Sequence, residues 1–277
     1  MTGTTELVTE YYGTHHVLRD ILGGLERAGF DRHALNPDDL KPVDEFHTGG
    51  LLATDELLKQ LEIEPGTRVL DIGSGIGGTA RYVAQHYGAR VTGVDLTEEY
   101  VETARYLSNA VELGELTHFH PGSATDLPVM DETFDLALML HVGMNIEDKA
   151  ALFRSAARAL APGGHFAIFD MMRAGDDTDL VFPLPWAESA EMSFVAPPEV
   201  YREAATAAGF RNVAERDRGD FALDFFRGVL ERMELDGPPP LGLHLLMGDS
   251  ASEKIRNLVA NLEGGKVAPR EMIFRKP

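Results

Sequence analysis

The stretch Val69-Leu-Asp-Ile-Gly-Ser-Gly-Ile-Gly-Gly-Thr79 decides how this chain is read. It reads as a short buried strand, a glycine-rich turn and the first turn of a helix. Glycine permits positive φ and lets a ligand lie against the backbone. A helix N-terminus just beyond the turn offers unpaired N–H groups to an anionic or electron-rich ligand. Gly73, Gly75 and Gly78 also fit the G-x-G-x-x-G spacing of dinucleotide sites. The turn therefore announces a nucleotide-like cofactor at the end of a first strand, without saying which one.

Outward from this stretch the chain alternates. Strand Arg68–Ile72 leads to a helix over Gly77–Tyr87, whose Ala80, Val83, Ala84 and Tyr87 form one apolar stripe. Strand Arg90–Val94 ends at Asp95, and Thr97 is placed to cap the helix that follows. Strands at Thr117–His120, Phe134–Leu140 and His165–Asp170 come next, with a helix over Glu147–Leu160 before the last of these. Strands alternating with helices predict a parallel, doubly wound α/β sheet. Beyond Asp170 the pattern loosens, through Phe182-Pro-Leu-Pro-Trp186. Helix Pro198–Ala208 and strand Arg211–Arg216 resume it. Two helices near Phe221–Leu235 and Ser252–Glu263 form an insertion before a closing strand at Arg270–Arg275.

Residues 1–45 read as an N-terminal helical segment, with residues 46–277 as the main domain. Asn36-Pro37 and Lys41-Pro42 mark loop. Tyr11 and Tyr12 either pack on the core or close a lid over the site. In the second case Tyr12 is a catalytic candidate and Tyr11 a substrate contact. Asp44-Glu-Phe46-His47-Thr48-Gly-Gly50 opens the helix Leu51–Leu61, with Thr48 or a neighbour as cap. Its functional reading sets Gly50 over the cofactor and turns Phe46 and His47 to the pocket; its structural reading is the cap alone.

Composition narrows the classes. The chain has 277 residues, 45 acidic against 25 basic for a net charge of -20, and a hydrophobic fraction of 44%. That suits one α/β domain with a lid. The charge argues against nucleic acid or an anionic membrane as partner. No cysteine is present, so thiolate nucleophiles, disulfides and cysteine metal sites are excluded. No metal is expected, because His15-His16 and Asp38-Asp39 are merely adjacent in sequence. The start, MTGTTELVTE, has no signal-peptide character, and a cytoplasmic location is the expectation.

Ligands of doubly wound folds bind outside the carboxyl ends of the strands, and four features converge there. Asp95 follows Asp71 by 24 residues, at the end of the second strand, where a carboxylate accepts both ribose hydroxyls. Asp71 directly precedes the glycine turn. A carboxylate there repels a pyrophosphate but suits the ammonium of a methionine tail. Ser123-Ala124-Thr-Asp126 offers N–H groups and short polar side chains to an adenine edge. Together these favour S-adenosylmethionine over NAD, with Asp71, Gly73, Ser74, Gly75, Gly77, Asp95, Leu96, Ser123, Ala124, Asp126 and Leu140 as cofactor contacts. The fourth feature, the segment from His141, points to the acceptor side.

Leu70-Asp-Ile-Gly-Ser-Gly-Ile-Gly-Gly, Gly93-Val-Asp-Leu-Thr and Gly122-Ser-Ala-Thr-Asp-Leu-Pro resemble the motifs of class I S-adenosylmethionine-dependent methyltransferases. The match runs from about Val43 to Arg218. Phe46-His-Thr-Gly-Gly, His141-Val-Gly-Met-Asn-Ile and Pro183-Leu-Pro-Trp-Ala resemble the glycine, sarcosine and dimethylglycine N-methyltransferase group. The resemblance implies a Rossmann-like sheet of seven strands and in-line attack on a sulfonium methyl. Ser123 departs from it, standing where the superfamily often has an acid, so Ser123, Asp126 or a backbone carbonyl must meet the adenine amine.

A small amine or amino-acid-like acceptor is the first expectation, with O- or C-methylation of a larger natural product as alternative and an NAD oxidoreductase as a further one. His141 is the leading candidate for base or substrate positioner. Asn145, Met171, Trp186 and His244 join Tyr11 and Phe46 as expected substrate contacts, from the segments 171–198 and 219–265. The N-terminal helices either cap their own site or exchange with a neighbouring chain, which leaves a homo-oligomer open.

Overall fold

The glycine turn follows the carboxyl end of the strand Arg68–Ile72, whose Val69, Leu70 and Ile72 are buried. The computed structural model describes residues 16–175, 179–237, 239–248 and 250–277. Helices α1 (Val17–Arg27), α2 (Pro37–Asp44) and α3 (Gly50–Leu58) precede β1 (Arg68–Ile72). Then follow α4 (Gly78–Tyr87), β2 (Arg90–Asp95), α5 (Glu98–Ala110), β3 (Thr117–Pro121) and β4 (Phe134–Leu140). A short 3-10 turn over Gly143–Asn145 leads to α6 (Lys149–Ala159) and β5 (Leu160–Arg173). Helix α7 (Pro198–Ala207), β6 (Arg211–Asp217), α8 (Gly219–Asp236), α9 (His244–Met247), α10 (Ala251–Glu263) and β7 (Val267–Arg275) complete the described chain.

The seven strands form one sheet in the order β3-β2-β1-β4-β5-β7-β6. Strands β1 to β5 pair in parallel, whereas β7 runs antiparallel to both β5 and β6. The sheet is therefore mixed rather than wholly parallel. Helix α10 ends at the carboxyl edge, and the chain turns at Gly265 (φ +63°) straight into β7, whose Val267 pairs with Arg173 at the end of β5. A strand entering from that edge has to run against its neighbours.

Side-chain alternation divides the core in two. In β4, Ala137 and Met139 pack with Phe153 of α6 and Tyr201 of α7, while Leu136 and Leu138 face Ala80 and Val83 of α4 and Val101 of α5. This period of two is what a strand buried on both faces demands. A third cluster joins α8 and α10 to Met171, Leu184 and Trp186. A fourth packs Ile21 and Leu25 of α1 and Leu40 and Val43 of α2 against Tyr100 and Leu107 of α5.

Residues 37–44 are a helix, not the loop their two prolines suggest. Pro37 stands at the first helical position, where its missing N–H costs nothing. The Asn36 N–H donates to Asp39 Oδ2 at 2.9 Å, and Asp38 and Asp39 sit at the positive end. Burial of Leu40 and Val43 then outweighs the single hydrogen bond lost at Pro42. Among the described residues no helix is long and apolar enough to cross a membrane.

Candidate active site

A cleft of about 400 Å³ opens over the carboxyl ends of β1, β2 and β4. Its floor is the glycine turn, and two of the glycines there have distinct reasons. Gly73 (φ +74°) lies so close to Val142 that a Cβ would meet its side chain at 2.3 Å. The turn is therefore fitted to the loop that follows β4. At Gly75 (φ +52°) a Cβ would meet nothing within 4 Å, because that face looks into the cleft. Gly77 is the N-cap of α4 and faces Phe119 and Arg81 rather than the cleft.

Asp95 holds the turn from the next strand. Its Oδ2 accepts the Gly75 N–H at 2.8 Å and its Oδ1 the Thr97 N–H at 2.9 Å. The start of α5 is thus held by Asp95 and not by the Thr97 side chain, which makes no capping bond. Burial raises the Asp95 carboxyl above its ordinary range despite these N–H bonds. Asp71 is 2% exposed, and its Oδ2 has no hydrogen-bond partner among the described residues. Burial, then the charges of Glu45 and Asp95, push it up to about 7. A buried carboxylate oxygen facing a cleft without a donor fits an ammonium group. Leu96, Ser123, Ala124 and Leu140 line the same cleft, as do Ser74 and Tyr100. The Ser123 hydroxyl lies 2.8 Å from that of Thr125. Asp126 does not reach the cleft; its N–H closes a turn on the Ser123 carbonyl at 3.1 Å and its side chain is exposed. Gly50 also lies outside the lining, in the first turn of α3.

The opposite wall comes from two segments far apart in sequence. His141 stands at the tip of β4 in the left-handed region, φ +54°, with its N–H donating to the Phe169 carbonyl at 2.7 Å. A non-glycine residue held there stores of order 1–3 kcal/mol of strain, which the flanking strand has to maintain. Its Nε2 is buried and has no hydrogen-bond partner among the described residues. Burial and then the neighbouring His47 hold the ring well below the usual histidine range, so His141 is a neutral imidazole. The His47 and His141 ring centroids are 5.9 Å apart, and both rings rest on Phe169, at 5.9 and 5.0 Å. Phe46 and Asn145 complete this wall.

Behind His47 lies Glu45, which sequence reading passed over. Glu45 Oε2 is 2.7 Å from His47 Nε2 and accepts from Thr54 Oγ1 at 2.8 Å. Burial raises the Glu45 carboxyl, but hydrogen bonds from His47 and Thr54 and the His47 charge outweigh it and leave a net lowering. The available signal was the i, i+2 spacing of Glu45 and His47 in an extended segment, which puts both on one face. The segment is held by a close approach: a Cβ on Gly78 would lie 1.9 Å from the Asp44 carbonyl oxygen. Next to it the buried Asp44 and Arg81 form an ion pair, and burial still raises Asp44 to about 6.

Three expected substrate contacts stand elsewhere. Met171 is fully buried in the third core cluster. Trp186 is 2% exposed there, its Nε1–H donating to Ser193 Oγ at 3.0 Å. An apolar loop with no periodicity packs its largest ring inward, and periodicity could not show this. His244 is half-buried away from the cleft, and Leu246 lines the cleft in its place. Residues two apart on a helix point to different sides. Asp170 is also fully buried, accepting from Tyr201 Oη at 2.5 Å. Tyr11 and Tyr12 lie outside the described residues.

Residues 70–168 match a family described as a methyltransferase domain. The glycine/sarcosine/dimethylglycine N-methyltransferase of Actinopolyspora halophila is 27% identical over 83% of this chain. The chain spans only 41% of that relative's length. An O-methyltransferase of Pyrenophora dematioidea is 28% identical, over 94% of this chain and 91% of the relative. Phosphoethanolamine N-methyltransferase 2 of Haemonchus contortus, solved with phosphomonomethylethanolamine and S-adenosylhomocysteine, superposes with a TM-score of 0.77 at 19% identity. That superposition covers 100% of this chain and 61% of the other, and shows a shared fold. The motifs of its first three strands lie in the segment that matches the methyltransferase domain, and over that segment the chain is similar to S-adenosylmethionine-dependent methyltransferases.

Proposed function

We propose that this chain transfers the methyl group of S-adenosylmethionine to the nitrogen of a small amine. The observation that carries this reading is the acceptor wall. A neutral His141, with a buried Nε2 that lacks a partner among the described residues, faces a cleft lined by Asp44, Asp71, Asp95, Glu147 and Asp148. No Arg or Lys is among the described residues lining it. Such a field concentrates cations. An amine arrives protonated and has to lose a proton before it can attack, and His141 Nε2 is placed to accept it.

When bound, S-adenosylmethionine supplies an electrophilic methyl on its sulfonium. Asp71 would hold the methionine ammonium, Asp95 the ribose hydroxyls, and the Ser123–Ala124 backbone with Leu96 the adenine. Gly75 leaves room for the cofactor to lie on the turn. Phe46, His141 and Asn145 would orient the acceptor nitrogen along the transfer axis. Near-attack placement of two bound reactants can contribute on the order of 7–11 kcal/mol to such a reaction.

The N-methyltransferases among the relatives support this reading. A second reading, transfer to a hydroxyl oxygen, is favoured by the O-methyltransferase that matches nearly end to end. The His141 wall serves it as well, since a hydroxyl also gives up a proton. Incubation with S-adenosylmethionine and a panel of amines, amino acids and phenols, read by product mass, separates the two. Methylated amines are expected, and a phenol methylated with no amine product overturns the first reading. In His141→Gln, turnover of the amine found is expected to fall about 100-fold or more, with affinity for S-adenosylhomocysteine held within about twofold.

A further inference from the structure

We propose that Lys149, Asp170 and Tyr201 are positioning residues that seat the loop carrying His141 and Asn145 from the side turned away from the cleft. The inference rests on the reading of that loop as part of the acceptor wall.

The loop leaves β4 at His141, whose left-handed φ of +54° turns the chain out of the sheet. Within it, the Asn145 N–H donates to the Val142 carbonyl at 3.0 Å and the Ile146 N–H to the Gly143 carbonyl at 2.9 Å. The other backbone groups of a turn this far from water need partners on neighbouring elements. Three segments supply them. The Met144 N–H donates to the Asp170 carboxyl of β5. The Met144 carbonyl accepts the Phe194 N–H at 2.7 Å, from the segment before α7. The Ile146 carbonyl accepts from Lys149 Nζ, at the first position of α6, and the same amine donates to the Phe194 carbonyl at 2.9 Å.

Tyr201 of α7 joins the two charged side chains. Its Oη donates to Asp170 Oδ2 at 2.5 Å, and Lys149 Nζ lies 5.4 Å from its ring centroid. Lys149 is 4% exposed and the other two are fully buried, and none of the three lines the cleft. Burial pulls the Lys149 amine down to about 8 and pushes the Asp170 carboxyl up to about 6, and in each the charge of the other acts against burial. The loop is seated closely on this cluster: a Cβ on Gly143 would stand 2.3 Å from Asp170 Oδ2 and 2.7 Å from Tyr201 Oη. Apolar packing alone would hold α6 and α7 on the sheet. Burying an amine, a carboxyl and a phenol costs desolvation, and a satisfied buried network of this kind fixes one arrangement of the backbone it binds. Here that backbone is residues 143–146, which lie between and beside the two side chains that reach the acceptor.

The test uses the full chain without ligand, labelled with ¹⁵N, and follows amide signals and amide hydrogen exchange in the wild type, Lys149→Met and Tyr201→Phe. Lys149→Met leaves the Ile146 and Phe194 carbonyls without their donor. Tyr201→Phe keeps the ring and removes the bond to Asp170. In each variant the Met144 and Ile146 amides are expected to exchange about tenfold faster or more, beyond any change in the β5 and β7 amides. The His141 and Asn145 amide signals are expected to shift with them. Exchange that rises evenly over loop and sheet marks a merely structural role and overturns the proposal, as do loop signals that stay in place in either variant. If Tyr201→Phe does not fold, Lys149→Met decides alone. With the acceptor found by product mass, kcat is expected to fall about tenfold while the KM for S-adenosylmethionine stays within about threefold. Unchanged turnover in a variant whose loop has loosened also overturns the proposal. The exchange readout contains no methyl transfer, so its result stands apart from the identity of the acceptor.

Discussion

The two walls of the cleft are built on opposite plans. The cofactor wall takes its residues in chain order from the ends of β1 and β2 and from the loop after β3, so that Asp71, Gly73, Gly75, Asp95 and Ser123 arrive by strand succession. The acceptor wall joins His47, from the segment before α3, to His141, from the end of β4. Their only covalent relation is a span of chain that crosses half the sheet. A wall set by backbone succession tolerates change at its side chains, except where a charge is buried. A wall set by side-chain packing depends on contacts remote from the chemistry.

That contrast can be broken at Gly78, where the largest effect is expected. Gly78→Ala would drive a Cβ into the Asp44 backbone, whose carbonyl oxygen is 1.9 Å from the position it would take. Stability should fall by about 3 kcal/mol, read as the denaturant midpoint, and the Glu45–His47 segment should shift with it. A variant as stable as the wild type would show that the acceptor wall is not held from α4. Asp95→Ala comes next. It removes a half-buried carboxylate and leaves the Gly75 and Thr97 N–H groups without their acceptor. Affinity for S-adenosylhomocysteine should fall about 30-fold, or about 2 kcal/mol, by calorimetric titration.

A smaller effect sharpens the role of Asp71. Its carboxyl is raised to about 7, by burial and then by the charges of Glu45 and Asp95, so the ligand-free protein holds a proton there below that pH. An ammonium ligand needs the carboxylate. Binding of S-adenosylhomocysteine should therefore weaken as pH falls below about 7, by up to about tenfold per unit, with proton release on binding. In Asp71→Asn the affinity should be lower and this pH dependence absent; a slope that persists assigns it to another group. The smallest effect is expected at Asp126, exposed and outside the cleft. Asp126→Ala should leave the affinity within about twofold, and a larger loss would return that side chain to the adenine site.

Much of this was legible without coordinates. The strand succession, the glycine turn and the acid at the end of β2 are local patterns of period and punctuation, and they located the cleft and the side of it that carries the glycine turn. Phe46, His47, His141 and Asn145 were also named, though as separate candidates. Local pattern misled at Pro37–Pro42, where burial of Leu40 and Val43 made a helix of a loop-like sequence. It misled again at Trp186 and Met171, whose apolar character was taken for substrate contact although the third core cluster uses it.

What the amino-acid sequence determined alone, then, is the class of fold, the edge at which the cleft opens and the cofactor chemistry that suits it. Each of these follows from residues within one strand–turn–helix unit, where spacing alone sets direction. What only the tertiary structure decided is the pairing of His47 with His141, the burial of Glu45 beneath them and the retreat of Trp186 and His244 from the cleft. Those depend on which faces of distant segments meet, and a single chain read in order does not contain that distance.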